Sequence, residues 1–192
     1  MSEPRPSHPT VRERKTRKPT LATIWLDGCS GCHMSILDMD ERLVELSEQF
    51  DLVYSPLVDH KEFPAQVDVA LIEGSVSSDE DERKIRLVRA QTRTLVSLGD
   101  CAVTGNVPAM RNPIPVPELL DCVYKGNGLL QGQVPAQRLP ALLPRVRPVH
   151  EVVDVDVFVP GCPPSADTIF FVVTELLAGR VPDVAALSRF GA

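Results

Sequence analysis

The chain carries five cysteines, and four of them stand in glycine-bearing loops: Gly28-Cys29-Ser30-Gly31-Cys32, Gly99-Asp100-Cys101 and Pro160-Gly161-Cys162-Pro163-Pro164. Each loop follows a stretch that reads as a β-strand, so the thiols gather on one edge of a sheet, where they can converge on a single iron–sulfur cluster. Cys122 lacks such a setting and reads as an ordinary buried or half-buried thiol. Zinc is the first alternative. Structural zinc sites usually pair two Cys-x2-Cys knuckles, whereas here one knuckle, Cys29 with Cys32, is joined by two isolated cysteines, a spacing that favours [4Fe–4S]. A thioredoxin-type redox pair at Cys29 leaves Cys101 and Cys162 unexplained. Scattered core cysteines are the bland reading against which the site must stand.

The elements that must position these loops alternate. Leu21–Leu26 is short, apolar and closed by Asp27-Gly28, as a buried strand is. From Ser35 the apolar positions Ile36, Leu37, Met39, Leu43, Val44 and Leu46 recur at helical spacing, predicting one helix. Phe50–Tyr54 and Val67–Glu73 are the next strands. A polar loop then leads to Asp79-Glu80-Asp81-Glu82 followed by Arg83, Lys84, Arg86 and Arg89, acids first and bases later, as the helix dipole prefers. Thr94–Leu98 and Val155–Val159 complete the strands, and a helix starting at Ser165 or Asp167 runs to about Gly179. This order predicts an α/β fold, a flavodoxin-like doubly wound parallel sheet whose ligands sit at the carboxyl ends of its strands. Between Asn106 and Pro148 proline and glycine are dense, which predicts long surface loops with little regular structure. A flavin phosphate would sit in the first strand-to-helix turn of such a fold, but cysteines occupy that turn, so no flavin is expected in this chain.

With 192 residues and a net charge of −6, the chain is long enough for one domain, expected over residues 21–192. Residues 1–20 carry Arg5, Arg12, Arg14, Lys15, Arg17 and Lys18 against Glu3 and Glu13, with no apolar run, and read as a disordered basic arm rather than a secretory or twin-arginine leader. The remainder holds 14 basic against 24 acidic side chains, which argues against nucleic acid as a partner. The apolar runs Ile169–Val173 and Leu176–Ala178 fall short of the about 20 residues of a membrane helix. The expected setting is therefore cytoplasmic, where reducing conditions favour metal binding over disulfides.

Four blocks carry a resemblance: Trp25-Leu26-Asp27-Gly28-Cys29-Ser30-Gly31-Cys32-His33-Met34-Ser35, Ile72-Glu73-Gly74-Ser75, Gly99-Asp100-Cys101-Ala102 and Val159-Pro160-Gly161-Cys162-Pro163-Pro164. In this order they resemble the small subunits of [NiFe] hydrogenases over most of residues 21–180. Related complex I subunits of quinone reductases share the fold but carry two adjacent cysteines where this chain has Cys29-x2-Cys32. Length and a single cluster set make the chain most similar to the delta subunits of cytoplasmic NAD-reducing bidirectional hydrogenases; small subunits of F420- or heterodisulfide-linked cytoplasmic hydrogenases are the alternative. The resemblance implies that Cys29, Cys32, Cys101 and Cys162 ligate a proximal [4Fe–4S] cluster. It also implies as partners a nickel–iron large subunit, and diaphorase subunits with FMN, NAD and further iron–sulfur clusters. This subunit would move electrons between them and hold no catalytic residue of its own.

The family motif places the counterpart of Glu73 near the cluster and the large-subunit contact, implying a proton-path or interface role; the plainer reading is a carboxylate that caps or anchors a loop. His33 either tunes the cluster or simply starts a helix. Asp27 and Asp100 read as turn and cap residues, and Trp25 as a core residue of the first strand. Asp38, Asp40 and Glu41 read as a solvated helix face with no nucleophile placed beside it. Neither a Gly-x4-Gly-Lys-Ser/Thr loop nor a Gly-x-Gly-x-x-Gly fingerprint occurs, so nucleotide binding belongs elsewhere.

Overall fold

A computed structural model describes residues 17–126, 132–188 and 190. Its centre is a parallel sheet of β1 (Thr20–Trp25), β2 (Asp51–Tyr54), β3 (Val67–Glu73), β5 (Thr92–Leu98) and β7 (Val157–Val159), ordered β2-β1-β3-β5-β7. This is the flavodoxin-like doubly wound order. Because successive side chains in a strand face opposite ways, an unbroken apolar strand feeds two cores at once. Leu21, Val69, Leu71, Val96 and Leu98 pack with Met39, Leu46, Ile169 and Val172 on one face. Ala22, Ile24, Ala70, Ile72 and Leu95 pack with Ile85 and Val88 on the other.

The helices in chain order are α1 (Gly31–Leu37), α2 (Arg42–Ser47), α3 (Asp79–Gln91), α4 (Asp100–Thr104), α5 (Val116–Asp121) and α6 (Ala166–Leu177). The single helix expected after Ser35 is two, α1 and α2, parted at Asp40, whose φ of 50° is incompatible with a continuing α-helix. Helix α3 starts with a capping box, Ser78 accepting from the Asp81 N–H while Asp81 reaches back to the Ser78 N–H.

The segment from Asn106 to Pro148 is more regular than its composition suggests. It holds a 3-10 turn (Pro108–Arg111), α5, and β6 (Leu142–Arg147), and β6 pairs antiparallel with β4 (Val76–Ser78), inside the stretch expected to be a polar loop. Side chains supplement the short ladder: Arg111 donates to Ser77 O and Leu143 O, and Asn112 brackets Val146 by accepting from its N–H and donating to its O. Residues 127–131 lie outside the described residues, as do 1–16 of the expected basic arm. Within the remainder of that arm Arg17 pairs with Asp68, and Thr20 already belongs to β1.

Strand register is what builds the site. Trp25 stands beside Glu73, Glu73 beside Leu98, and Leu98 beside Val159, so four parallel strands end level. All three cysteine loops leave from that common edge.

Candidate metal centre

Cys29 lies in the β1–α1 turn, Cys32 is the second residue of α1, Cys101 is the second residue of α4, and Cys162 follows β7. Cys29 and Cys162 are exposed, Cys101 is half-buried and Cys32 is buried. The loops are stitched to one another through backbone. Asp100 N–H donates to Gly161 O at 2.9 Å while the Asp100 carboxylate accepts from Gly161 N–H at 2.7 Å, so the turn-and-cap reading of Asp100 resolves into a clasp between the Cys101 and Cys162 loops. Ser35 Oγ donates to Pro164 O at 2.6 Å, tying α1 to the same loop. Asp27 and Ser75 exchange backbone hydrogen bonds, which holds the Cys29 turn against the end of β3. At Gly99, φ is +82° and an added Cβ would stand 2.2 Å from Cys32 Sγ; only glycine lets the Cys101 loop pass beside that thiol.

Helix α1 begins without a local cap. Ser30, its N-cap residue, adopts φ 66° and its side chain makes no capping hydrogen bond. The orphan amides of the first turn are taken instead by Glu73, whose carboxylate accepts from Cys32 N–H at 3.3 Å and His33 N–H at 2.9 Å. Glu73 is 2% exposed. His33 Nδ1 hydrogen-bonds the carboxylate oxygen that accepts from its own N–H, His33 Nε2 lies 3.0 Å from Thr23 Oγ1, and Thr23 Oγ1 lies 2.7 Å from Ser55 Oγ. Thr23 and Ser55 carry little signal in the sequence; the one available was a hydroxyl inside an otherwise apolar strand.

The two less exposed thiols, Cys32 and Cys101, feel the charge of the others. Burial pushes the Cys32 thiol well above its ordinary range, and negative charge on Glu73, Cys101, Cys29 and Cys162 adds to the effect. Cys101 is raised by burial, then by Cys29 and Cys162, with a Val107 N–H hydrogen bond acting the other way. Four mutually repelling thiolates are stable together only around positive charge, which iron supplies. Among the described residues no group of three or more His, Cys, Asp or Glu converges on one metal ion. In a cubane each iron takes one thiolate, so the site has no need of such convergence, whereas a zinc site built from four cysteines requires all the sulfurs at about 2.3 Å from one ion. The donor set, four thiols on loops tied to one another, fits an iron–sulfur cluster.

Asn106 is a further neighbour, its Nδ2 donating toward Cys162 Sγ at 3.6 Å. Two expectations need correction. Trp25, the last residue of β1, is exposed rather than in the core. Cys122 is exposed too, at the end of α5 in the proline-rich segment. No helix among the described residues is long and apolar enough to cross a membrane.

Comparison with known proteins gives the family. The family model of the NADH ubiquinone oxidoreductase 20 kDa subunit matches residues 29–176. The chain is 40% identical to the delta subunit of the NAD-reducing hydrogenase HoxS of Cupriavidus necator, covering 96% of this chain and 91% of that one. It is 36% identical to a subunit of the F420-non-reducing hydrogenase vhu of Methanocaldococcus jannaschii, over 83% of this chain but 56% of that one. Among solved structures, a chain of an NAD+-reducing [NiFe]-hydrogenase in the H2-reduced state superposes with a TM-score of 0.87 at 43% identity, covering 91% of this chain and 99% of that chain.

Proposed function

A chain that belongs to the family of the NADH ubiquinone oxidoreductase 20 kDa subunit, and within it to the hydrogenase small subunits, has one task its residues suit, and we propose that task here: electron transfer in an NAD-reducing [NiFe] hydrogenase. Cys29, Cys32, Cys101 and Cys162 hold one [4Fe–4S] cluster in this reading. The partners are a nickel–iron large subunit, where H2 is split, and diaphorase subunits that carry FMN, further clusters and the NAD site. The complex works in the cytoplasm.

The observation that favours an NAD-reducing assembly over that of the F420-non-reducing relative is coverage. The chain spans 91% of the Cupriavidus delta subunit but little more than half, 56%, of the Methanocaldococcus relative. When bound, such a cluster accepts and releases single electrons without bond chemistry. This chain's own residues supply the thiolates, bury one of them and hold three loops in register. Glu73 caps α1 in this arrangement, and a direct proton-path role is not needed to explain its position.

The test is to co-express the chain with its large and diaphorase partners, purify anaerobically, and measure iron, sulfide, zinc and the EPR spectrum of the reduced complex. Cys101→Ser should remove one [4Fe–4S] signal together with H2-dependent NAD reduction. Zinc in place of cluster iron in this chain would overturn the reading in favour of a zinc-stabilised assembly module.

A further inference from the structure

We propose that His33 is a positioning residue, acting through Glu73 to fix the start of α1 and with it the Cys32 thiolate. The proposal rests on the four-cysteine cluster reading above. Its geometry is a buried column: Ser55 Oγ to Thr23 Oγ1 at 2.7 Å, Thr23 Oγ1 to His33 Nε2 at 3.0 Å, His33 Nδ1 to the Glu73 carboxylate, and that carboxylate to the Cys32 and His33 amides. Every side chain in it is buried, with His33 4% exposed. Leu57 N–H in turn donates to Ser55 Oγ, anchoring the far end in the loop after β2.

A carboxylate that caps a helix from a distant strand has freedom that a local cap lacks, because its own rotamers must be held. His33 removes that freedom from one side and Thr23 holds the ring from the other. Glu73 also presses on the Cys32 thiol electrostatically. A hydrogen bond from the imidazole draws negative charge toward itself, so the field that Glu73 exerts at the cysteine depends on His33. Without the imidazole donor the carboxylate is more free to oppose an added electron. The same column explains why a threonine stands in the middle of β1 and why a serine follows β2, neither of which the sheet itself requires.

The experiment is an EPR-monitored redox titration of the anaerobically purified complex. His33→Leu should retain iron and lower the midpoint potential by an amount equal to a tenfold change in the one-electron equilibrium, about 59 mV. His33→Asn, which keeps an N–H near the position of Nδ1, should recover most of that shift. In a Glu73→Gln background His33→Leu should add nothing, since the residue acts through the carboxylate. An unchanged or raised potential in His33→Leu, or an equal fall in both backgrounds, overturns the proposal. If His33→Leu fails to assemble, Thr23→Val gives the reading: a fall in potential supports the column, and an unchanged potential overturns it. A wild-type signal that survives Cys101→Ser overturns the cluster reading and this proposal with it, whereas an intact cluster with an unshifted potential overturns this proposal alone.

Discussion

Cys32 and Cys162 are chemically the same residue in opposite surroundings, and that contrast can be measured. The thiolate is the nucleophile, and burial together with neighbouring negative charge holds Cys32 in the thiol form at neutral pH. In cluster-free protein at pH 8, iodoacetamide should therefore label the exposed Cys29 and Cys162 first, Cys101 more slowly and Cys32 last. Because the Cys32 thiol is raised, its labelling should still be accelerating as pH climbs past the ordinary thiol range; rapid Cys32 labelling at pH 8, followed by mass spectrometry of peptides, would contradict the burial. Gly99 gives a second prediction. Alanine there combines a strained positive φ with a Cβ set 2.2 Å from Cys32 Sγ, so Gly99→Ala should lower iron content at least as far as a single cysteine variant does. The four cysteines proposed as ligands were legible as candidates because cysteine beside glycine after an apolar strand is a strong local signal. The residues that hold them were not. Thr23, Ser55 and Asn106 matter only through partners far along the chain, and hydrogen bonds of that kind leave no periodicity to read.

Elements show the same division. Strand β3 lies where its apolar run predicts, at Val67–Glu73, because both of its faces are buried and its central residues 69–72 are all apolar. Strand β4 was invisible: Val76-Ser77-Ser78 carries little apolar signal and is fixed by pairing with β6 and by Arg111. The break between α1 and α2 was hidden because apolar spacing continues across it while the backbone turns at Asp40. Capping separates the two helix starts further. Helix α3 carries its own box, and Ser78→Ala should cost about 1 kcal/mol, seen as faster hydrogen exchange in its first turn with the rest of the complex unaffected. Helix α1 borrows Glu73 from β3. Glu73→Ala strips a buried pair of amides of their acceptor, so exchange at Cys32 and His33 should rise by more than at the first turn of α3 in Ser78→Ala.

At the scale of the molecule, the level ends of β1, β3, β5 and β7 produce a face that is left exposed among the described residues. Apolar side chains flank its cysteine loops in sequence: Trp25 before Cys29, Met34 after Cys32, Val107 and Met110 after Cys101, with Met34 57% and Met110 75% exposed. Burial of a methionine side chain is worth about 1.5–3 kcal/mol, so a partner seated here gains from each. A charged replacement loses that gain and adds the cost of desolvating a carboxylate. Met34→Asp and Met110→Asp should each weaken retention of the large subunit tenfold or more on affinity purification, with iron in this chain preserved when assembly is forced by high partner concentration. Leu87 supplies the control. It is an exposed leucine on α3, whose buried Ile85 and Val88 pack into the core formed with Ile72, and it lies away from the cysteine loops in the chain. If Leu87→Asp releases the large subunit while Met34→Asp and Met110→Asp do not, the docking face is that of α3 and the cysteine edge faces something else. If the methionine variants alone release it, the fold has placed its thiols and its apolar contact on one edge because both are consequences of the same strand register.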